Sequence, residues 1–374
     1  MSMKKWVRIA GWGILFFFSA GLPIDVVSGQ TTPPQAPSVV PYYAPPSQME
    51  LCGERVPLDS QEVRERFDRE FTIIVYSHAQ VFLWLKRLDR YFPFIEKQLR
   101  ASGLPDDLKY VAVAESDLVL SACSPAGAAG PWQFIPGTGS NYGLDQSRYI
   151  DQRHDFEMAT GSAFRYLQDL QGLFQNWTLA IAAYNCGERR VQQELGRQKV
   201  ASYYDLRLPQ ETERYIFRIL AIKEILSHPE RYGYSLPKQA AYPPVPSDRV
   251  KVSLPGPVAV QTAAEAAGMT YRDFKIMNPA LISDTIPSGA QSLKVPAGKG
   301  MEFQGRMQTA KIEPSSTVVS QQAVSRQGVT HKVKRGETLN GIAVRYGVSS
   351  QDVRRWNGLK TEKVQIGQSL KIMK

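Results

Sequence analysis

Apolar residues recur at intervals of three and four from about Leu58 to Leu236. Val81, Leu85, Leu88 and Phe92 form one such stripe, and Tyr215, Ile219, Ile222 and Leu226 form another. That period buries one side of a helix, and few alternating β-branched runs interrupt it, so the segment predicts a mostly α-helical domain over 58–236. The texture changes after Tyr234, where Pro237, Pro243, Pro244 and Pro246 predict a linker over 237–247. Beyond it lie a small unit over 248–298, a polar linker over 299–328 and a last unit over 329–374. The last unit carries strand, helix, helix and strand signals: THKVK, then Leu339–Tyr346, then Gln351–Trp356, then SLKIM. The two small units share a weak repeat, because NPALISDTIPSGAQSLKVP at 278–296 parallels NGLKTEKVQIGQSLKI at 357–372. Each sets an Asn after a short helix, then a Gly-containing turn, then a Leu-Lys strand.

The N-terminus follows another pattern. Lys4, Lys5 and Arg8 precede an apolar run from Gly11 to Leu22, which predicts a secretory signal over 1–29, with cleavage after Ser28 and Gly29. The run is short for a membrane span. Left uncleaved, it would keep the chain associated with a membrane. The first cysteine is Cys52, so no lipid-attachment signal is read. Residues 30–57 begin rich in Pro, Thr, Ser and Gln and predict an exposed linker.

At 374 residues, two or three domains are expected. Forty-five Lys and Arg against 35 acids leave a formal charge of +10, which favours polyanionic partners. Ten of those cations and only three acids fall between Val329 and Lys374, so the basic surface is expected at the C-terminus. No nucleic-acid motif accompanies the charge, and no nucleic-acid partner is expected. Cys52, Cys123 and Cys186 allow at most one internal bridge and lack metal-ligand spacing, so neither metal nor cofactor is expected.

Candidate chemistry centres on GLPDDLKYVAVAESDL at 103–118. Leu108, Val111, Ala112 and Glu115 fall at i, i+3, i+4 and i+7, which places Glu115 on the apolar face of a helix. A carboxyl turned towards a core is costly to ionise, so its pKa should rise, as a general acid near neutral pH requires. The bland alternative is a buried Glu paired with a cation such as Arg153. Next comes SPAGAAGPWQFIPGTGSNYGL at 124–144, a glycine-rich loop that could approach a ligand closely, with Gln133 to fix a polar group and Trp132 to offer a face to a sugar ring. A third element, WTLAIAAYNCGERRV at 177–191, brings Tyr184 and Asn185 to a helix end, where they could equally be caps.

These three elements resemble the motifs of the lytic transglycosylase family related to goose-type lysozyme: an ES pair at Glu115 and Ser116, a G-x-x-Q loop at Gly130–Gln133 and an AYN triplet at Ala183–Asn185. The runs YIDQRHD at 149–155 and LPQETERYI at 208–216 are similar to the membrane-bound lytic transglycosylase D branch, and the likeness spans about 58–235. The resemblance implies a lysozyme-like helical fold and cleavage of the bond between N-acetylmuramic acid and N-acetylglucosamine. It makes Glu115 the acid and then the base, yielding a 1,6-anhydro product. Ser116, Ser124, Gln133, Tyr184, Asn185, Glu211 and Tyr215 would bind the glycan. Pro131 and Arg189 depart from the family's usual Leu and Gly, which bears on substrate preference.

The last unit resembles a LysM module through HKVKRGETLNGIAVRYGVSSQDVRRWNGL and IGQSLKI, and the middle unit looks like a divergent copy. Such βααβ modules bind N-acetylglucosamine in peptidoglycan, which makes Gly336, Glu337, Thr338, Ile366 and Gly367 the glycan-binding expectations. The partner implied is the peptidoglycan strand, in the periplasm or cell envelope of a bacterium. Two other readings compete: a hydrolase with Asp151, Asp155 or Glu211 as second acid, and a wall-binding scaffold without turnover. Asp117, two residues from Glu115, projects from another side of the helix and is a poor second acid.

Overall fold

The computed structural model describes residues 40–309, 329–334, 337–346, 348, 350–359, 361 and 364–372. The signal expected over 1–29 and Gly336 lie outside these residues. No described helix is long and apolar enough to cross a membrane.

The helical domain opens with a hairpin, β1 (Glu50–Leu51) and β2 (Glu54–Arg55), before α1 (Gln61–Val75), α2 (His78–Ser102) and α3 (Lys109–Ser116). It continues through α4 (Pro136–Asn141), α5 (Phe156–Phe174), α6 (Trp177–Cys186), α7 (Glu188–Gln198) and α8 (Gln210–Ser227). The hairpin corrects the expectation of a linker throughout 30–57. Leu51 is buried, the Cys52 amide donates to Asp107 Oδ2 at 2.7 Å, and Glu54 accepts from the Thr178 amide at 3.1 Å and from Asn176 Nδ2 at 3.0 Å. A carboxylate there satisfies free amides at the start of α6, a long-range gain that composition does not reveal.

Helix α6 is apolar on every side because it runs through the middle of the domain, with Leu179 to Ala183 all buried. Asn176 caps it, its Oδ1 accepting from the Leu179 amide at 2.9 Å. Helices α5 and α8 pack beside it, and α3 packs on α8, with Val111, Ala112, Val113, Ile216, Phe217, Ile219, Leu220 and Ile222 buried.

The middle unit comprises β3 (Ser247–Leu254), β4 (Val258–Ala259), α9 (Val260–Ala266), α10 (Tyr271–Met277), β5 (Thr285–Ile286), β6 (Gly289–Pro296) and α11 (Gly300–Thr309). Strands β3 and β6 are antiparallel, with Val250 opposite Leu293. Val250, Val252 and Leu254 alternate onto one buried face, which α9 and α10 cover with Val260, Ala263 and Phe274. Helix α11 corrects the linker expected from residue 299. Phe303 and Met307, four residues apart, enter the same core, and Asp248 Oδ2 accepts from the Gly300 amide at 3.0 Å as the helix begins.

The last unit has β7 (Val329–Lys332), α12 (Leu339–Tyr346), α13 (Ser350–Asn357) and β8 (Ser369–Ile372), with the strands antiparallel. The repeated Asn does the same work in both small units. Asn278 Nδ2 donates to the Phe274 and Lys294 carbonyls, and its Oδ1 accepts from the Lys294 amide at 2.6 Å. Asn357 bonds in the same way to the Val353 carbonyl and to both backbone groups of Lys371. One side chain thus fastens the second helix to the closing strand.

Candidate active site

Leu108, just before helix α3, and Val111 and Ala112 within it face the core, and Glu115, next along that face, reaches a cleft of about 1270 Å³. The chain leaves the helix abruptly: Asp117 (φ 56°) and Leu118 (φ 59°) are both left-handed, an unfavourable conformation for side chains with a Cβ. Asp117 holds this turn. Its Oδ1 accepts from Trp84 Nε1 at 2.8 Å and Gln80 Nε2 at 3.1 Å, and its carbonyl accepts from Arg87 at 2.9 Å. It is an anchor and not a second acid.

Glu115 accepts a hydrogen bond from the Tyr215 hydroxyl, and among the described residues it forms no ion pair. Burial raises its pKa to about 7. The Tyr215 bond and the nearby Arg218 charge oppose that rise, and Glu211 adds to it. Its place in the last turn of α3, near the carbonyl ends of the helix, also disfavours a negative charge. Tyr215 and Tyr184 are themselves held well above the usual phenol range, first by burial and then by the Glu115 charge, so both keep their protons. Arg153, the cation considered as a partner for Glu115, is committed elsewhere. Asp151 fixes it through Nη2–Oδ2 at 2.6 Å and Nε–Oδ1 at 2.9 Å, and its Nη1 donates to the Gly127 and Phe134 carbonyls at 2.7 and 2.9 Å.

Arg153 therefore holds the glycine-rich loop at two points, Gly127 and Phe134. Gly130 (φ 81°) lies against its backbone, where an added Cβ would sit 1.7 Å from the Arg153 carbonyl oxygen, so only glycine fits. Gln133, also left-handed at φ 47°, donates through Nε2 to the Gly130 and Ala122 carbonyls. Ser124 Oγ accepts from the Ala128 amide at 3.1 Å. Two contacts bind the loop to the helices: Ser116 Oγ donates to the Pro131 carbonyl at 2.8 Å, and Tyr184 donates to the Trp132 carbonyl at 2.8 Å.

All eight residues expected to act in the helical domain line this one cleft. Two residues, Ser116 and Trp132, do other work than expected. The Ser116 hydroxyl proton is directed at the loop, so its contact is one of anchoring. Trp132 is fully buried, with Nε1 on Thr160 Oγ1 at 2.9 Å and its ring edge-on to Phe164, so it belongs to the core and offers no sugar platform. The loop turns back on itself through the bridges Cys123–Ala129 and Ala129–Phe134, which points Trp132 inward. The aromatic wall of the cleft is instead Phe134, Tyr166 and Tyr184, with the two tyrosine rings 5.2 Å apart. Asn185 is oriented through Oδ1, which accepts from Thr212 Oγ1 at 2.7 Å.

Glu70 and Arg214 also line the cleft and were missed. Glu70 is buried and bound to Arg214 at 2.7 and 3.2 Å and to Arg69. Its signal was present: Val63, Phe67, Glu70, Phe71 and Ile74 share one buried helical face, as Glu115 does in α3. The three thiols, Cys52, Cys123 and Cys186, are free.

In the last unit, Glu337 is a structural hub where a glycan ligand was expected. It accepts from the Lys334 amide at 2.8 Å and from His331 Nε2 at 2.7 Å, and it pairs with Arg345. The Lys334 bond, followed by the His331 bond, lowers its pKa to about 2. Thr338 Oγ1 caps α12 by accepting from the Gly341 amide. Gly367 (φ 85°) donates to the Val333 carbonyl, and beside it Ile366 projects outward, 69% exposed.

With this geometry established, the chain can be set beside known proteins. Residues 92–206 match the Transglycosylase SLT domain, and residues 331–372 match the LysM domain. The membrane-bound lytic murein transglycosylase D of Escherichia coli (strain K12) is 35% identical over 293 residues, which are 76% of this chain and 64% of that protein. The chain thus spans less than two thirds of that relative. An autolysin of Enterococcus faecalis is 42% identical over 48 residues, 13% of this chain and 6% of its own. The solved 70 kDa soluble lytic transglycosylase of Escherichia coli aligns over 46% of this chain and 30% of its own, at 23% identity and a TM-score of 0.34.

Proposed function

We propose that this chain is a peptidoglycan lytic transglycosylase of the bacterial cell envelope, cleaving the β-1,4 bond between N-acetylmuramic acid and N-acetylglucosamine. The observation that carries the reading is Glu115, a carboxyl raised to about 7 in a cleft of about 1270 Å³, with a tyrosine hydroxyl and, among the described residues, no ion-pair partner. The match of residues 92–206 to the SLT domain and the likeness to the E. coli enzyme support it. The LysM match supports peptidoglycan as the partner.

In this mechanism, protonated Glu115 gives its proton to the glycosidic oxygen as the bond to C1 of the muramoyl residue breaks. The substrate's N-acetyl oxygen carries the developing positive charge. Glu115, now a carboxylate, takes the proton from the muramoyl 6-hydroxyl as that oxygen attacks C1. The anhydro ring closes, no water is consumed, and the acid is regenerated. Tyr215 holds the carboxyl during both transfers. Glu70 and Asp117, tied to Arg214 and to Trp84, are unsuited to activating water. The same applies to Asp151 and Asp155, bound to Arg153 and Arg249.

A hydrolase remains the competing reading because Glu211 lines the same cleft and its charge reaches Glu115. Mass spectrometry of digested peptidoglycan separates the two. Anhydro-muropeptides are expected. Hydrated reducing ends that disappear in Glu211→Gln would replace this reading with hydrolysis.

A further inference from the structure

The middle unit is joined to the helical domain along the segment that also holds the catalytic loop. Residues Tyr149–Ile150 and Ala280–Ile282 pair as an antiparallel bridge, with the Asp151 amide on the Ala280 carbonyl at 2.8 Å and the Ile282 amide on the Tyr149 carbonyl at 3.0 Å. Ile150 packs into the core of the middle unit beside Leu281. Arg249 of β3 reaches across with four hydrogen bonds, two to Asp155 at 2.9 and 3.0 Å and two to Glu157 at 2.6 and 3.0 Å. Lys294 of β6 adds a second cation to Glu157 at 2.7 Å. These charges are largely enclosed, which makes the pairing directional and costly to break.

On its other side the same segment faces the site. Asp151, fixed through its backbone by the middle unit, orients Arg153, and Arg153 holds the Gly127 and Phe134 carbonyls. His154 bonds to the Leu120 carbonyl at 2.7 Å, just beyond the turn that follows Glu115. Asp155, gripped by Arg249, caps α5 by accepting from the Met158 amide. The short segment Tyr149–Asp155 lies between the middle unit and the glycine-rich loop and bonds to both.

We propose that the middle unit is a brace for the catalytic loop, and that Arg249 is a positioning residue acting through Tyr149–Asp155 on Gly127–Phe134. This extends the proposed transglycosylase reading and rests on it for its activity readout. The unit's value to the enzyme then lies in the face turned to the helical domain, whether or not its other faces meet glycan.

The test uses the full chain with Arg249→Ala, Arg249→Lys and Ile282→Pro. The last removes the amide that bonds Tyr149 at an exposed side chain, without altering any charge. Amide hydrogen exchange is followed at Ala129 and Gln133, whose N–H groups bond the Phe134 and Gly130 carbonyls. With Arg249→Ala and Ile282→Pro, exchange at these two amides is expected to rise about tenfold while the amides of α8 keep their rates. Turnover of peptidoglycan should fall about tenfold with KM little changed, because a displaced loop misplaces the reacting groups. The alkaline limb of turnover should move to lower pH as water reaches Glu115, and Arg249→Lys should recover part of each effect. A purely structural weld would loosen the middle unit's own amides and leave Ala129, Gln133 and the pH limb as in wild type; that result overturns the proposal. If wild-type protein makes no anhydro product, the proposed reaction fails, and the exchange rates at Ala129 and Gln133 still decide the brace.

Discussion

Glu70 on α1 and Glu115 on α3 sit in one cleft and grew from one sequence pattern, an acid on the apolar face of a helix, yet their surroundings are opposite. Glu70 is met by two guanidinium groups. Glu115 meets a tyrosine hydroxyl, with Arg218 acting only through its field. Burial alone therefore does not make an acid catalyst. What separates the two is whether the charge created by ionisation is compensated, since a buried carboxylate facing cations is structural and one facing a neutral donor can hold its proton near neutral pH.

The largest effect that should divide them is on turnover. Glu115→Gln is expected to abolish anhydro-muropeptide formation by about a thousandfold or more, whereas Glu70→Gln should retain it within about tenfold per folded molecule. Equal losses in a product assay would remove the distinction. Stability should divide them the other way. Glu70→Gln takes the counter-charge from two half-exposed arginines and should cost about 1 to 2 kcal/mol in a denaturant titration.

For Glu115 the sign is opposite to that for Glu70, and the size depends on pH. Its folded pKa of about 7 lies above the ordinary 4.5, so between those values the folded chain binds more protons than the unfolded one, and stability falls as pH rises through that window. Glu115→Gln removes the loss. Relative to wild type, the variant should gain on the order of 2 to 3 kcal/mol at pH 8 and nothing from this group at pH 4, read from paired melts. A constant offset across pH would mean an unshifted carboxyl.

The smallest effect concerns Tyr215, whose hydrogen bond lowers the Glu115 pKa. Tyr215→Phe should move the alkaline limb of turnover upward and slow turnover by about tenfold, a barrier change of about 1.4 kcal/mol. An unmoved limb would show that the hydroxyl does not govern ionisation.

The helical period made Glu115 legible because its chemistry follows from its own helix face, and the ES, G-x-x-Q and AYN motifs then gathered a set of residues that proves to share one cleft. Glu70 carried the same period, but the Arg214 that neutralises it stands 144 positions away, beyond any local pattern. Trp132 was misplaced for a related reason: a loop sequence shows that an aromatic is present, and only the bridges at Ala129 decide that it turns inward. The repeat containing Asn278 and Asn357 was readable because each side chain bonds within its own unit. The junction of Arg249 with Asp155 and Glu157 was not, since neither side's composition advertises its partner. Local periodicity thus located the proposed acid, and long-range charge pairing distinguishes it from Glu70.

The most direct test of that account is a titration of the Glu115 carboxyl by carbon NMR of protein labelled at glutamate side chains, with Glu115→Gln identifying the resonance. A midpoint near 7 is the predicted result. A midpoint at the ordinary value of 4.5 would contradict the claim that uncompensated burial makes Glu115 the acid.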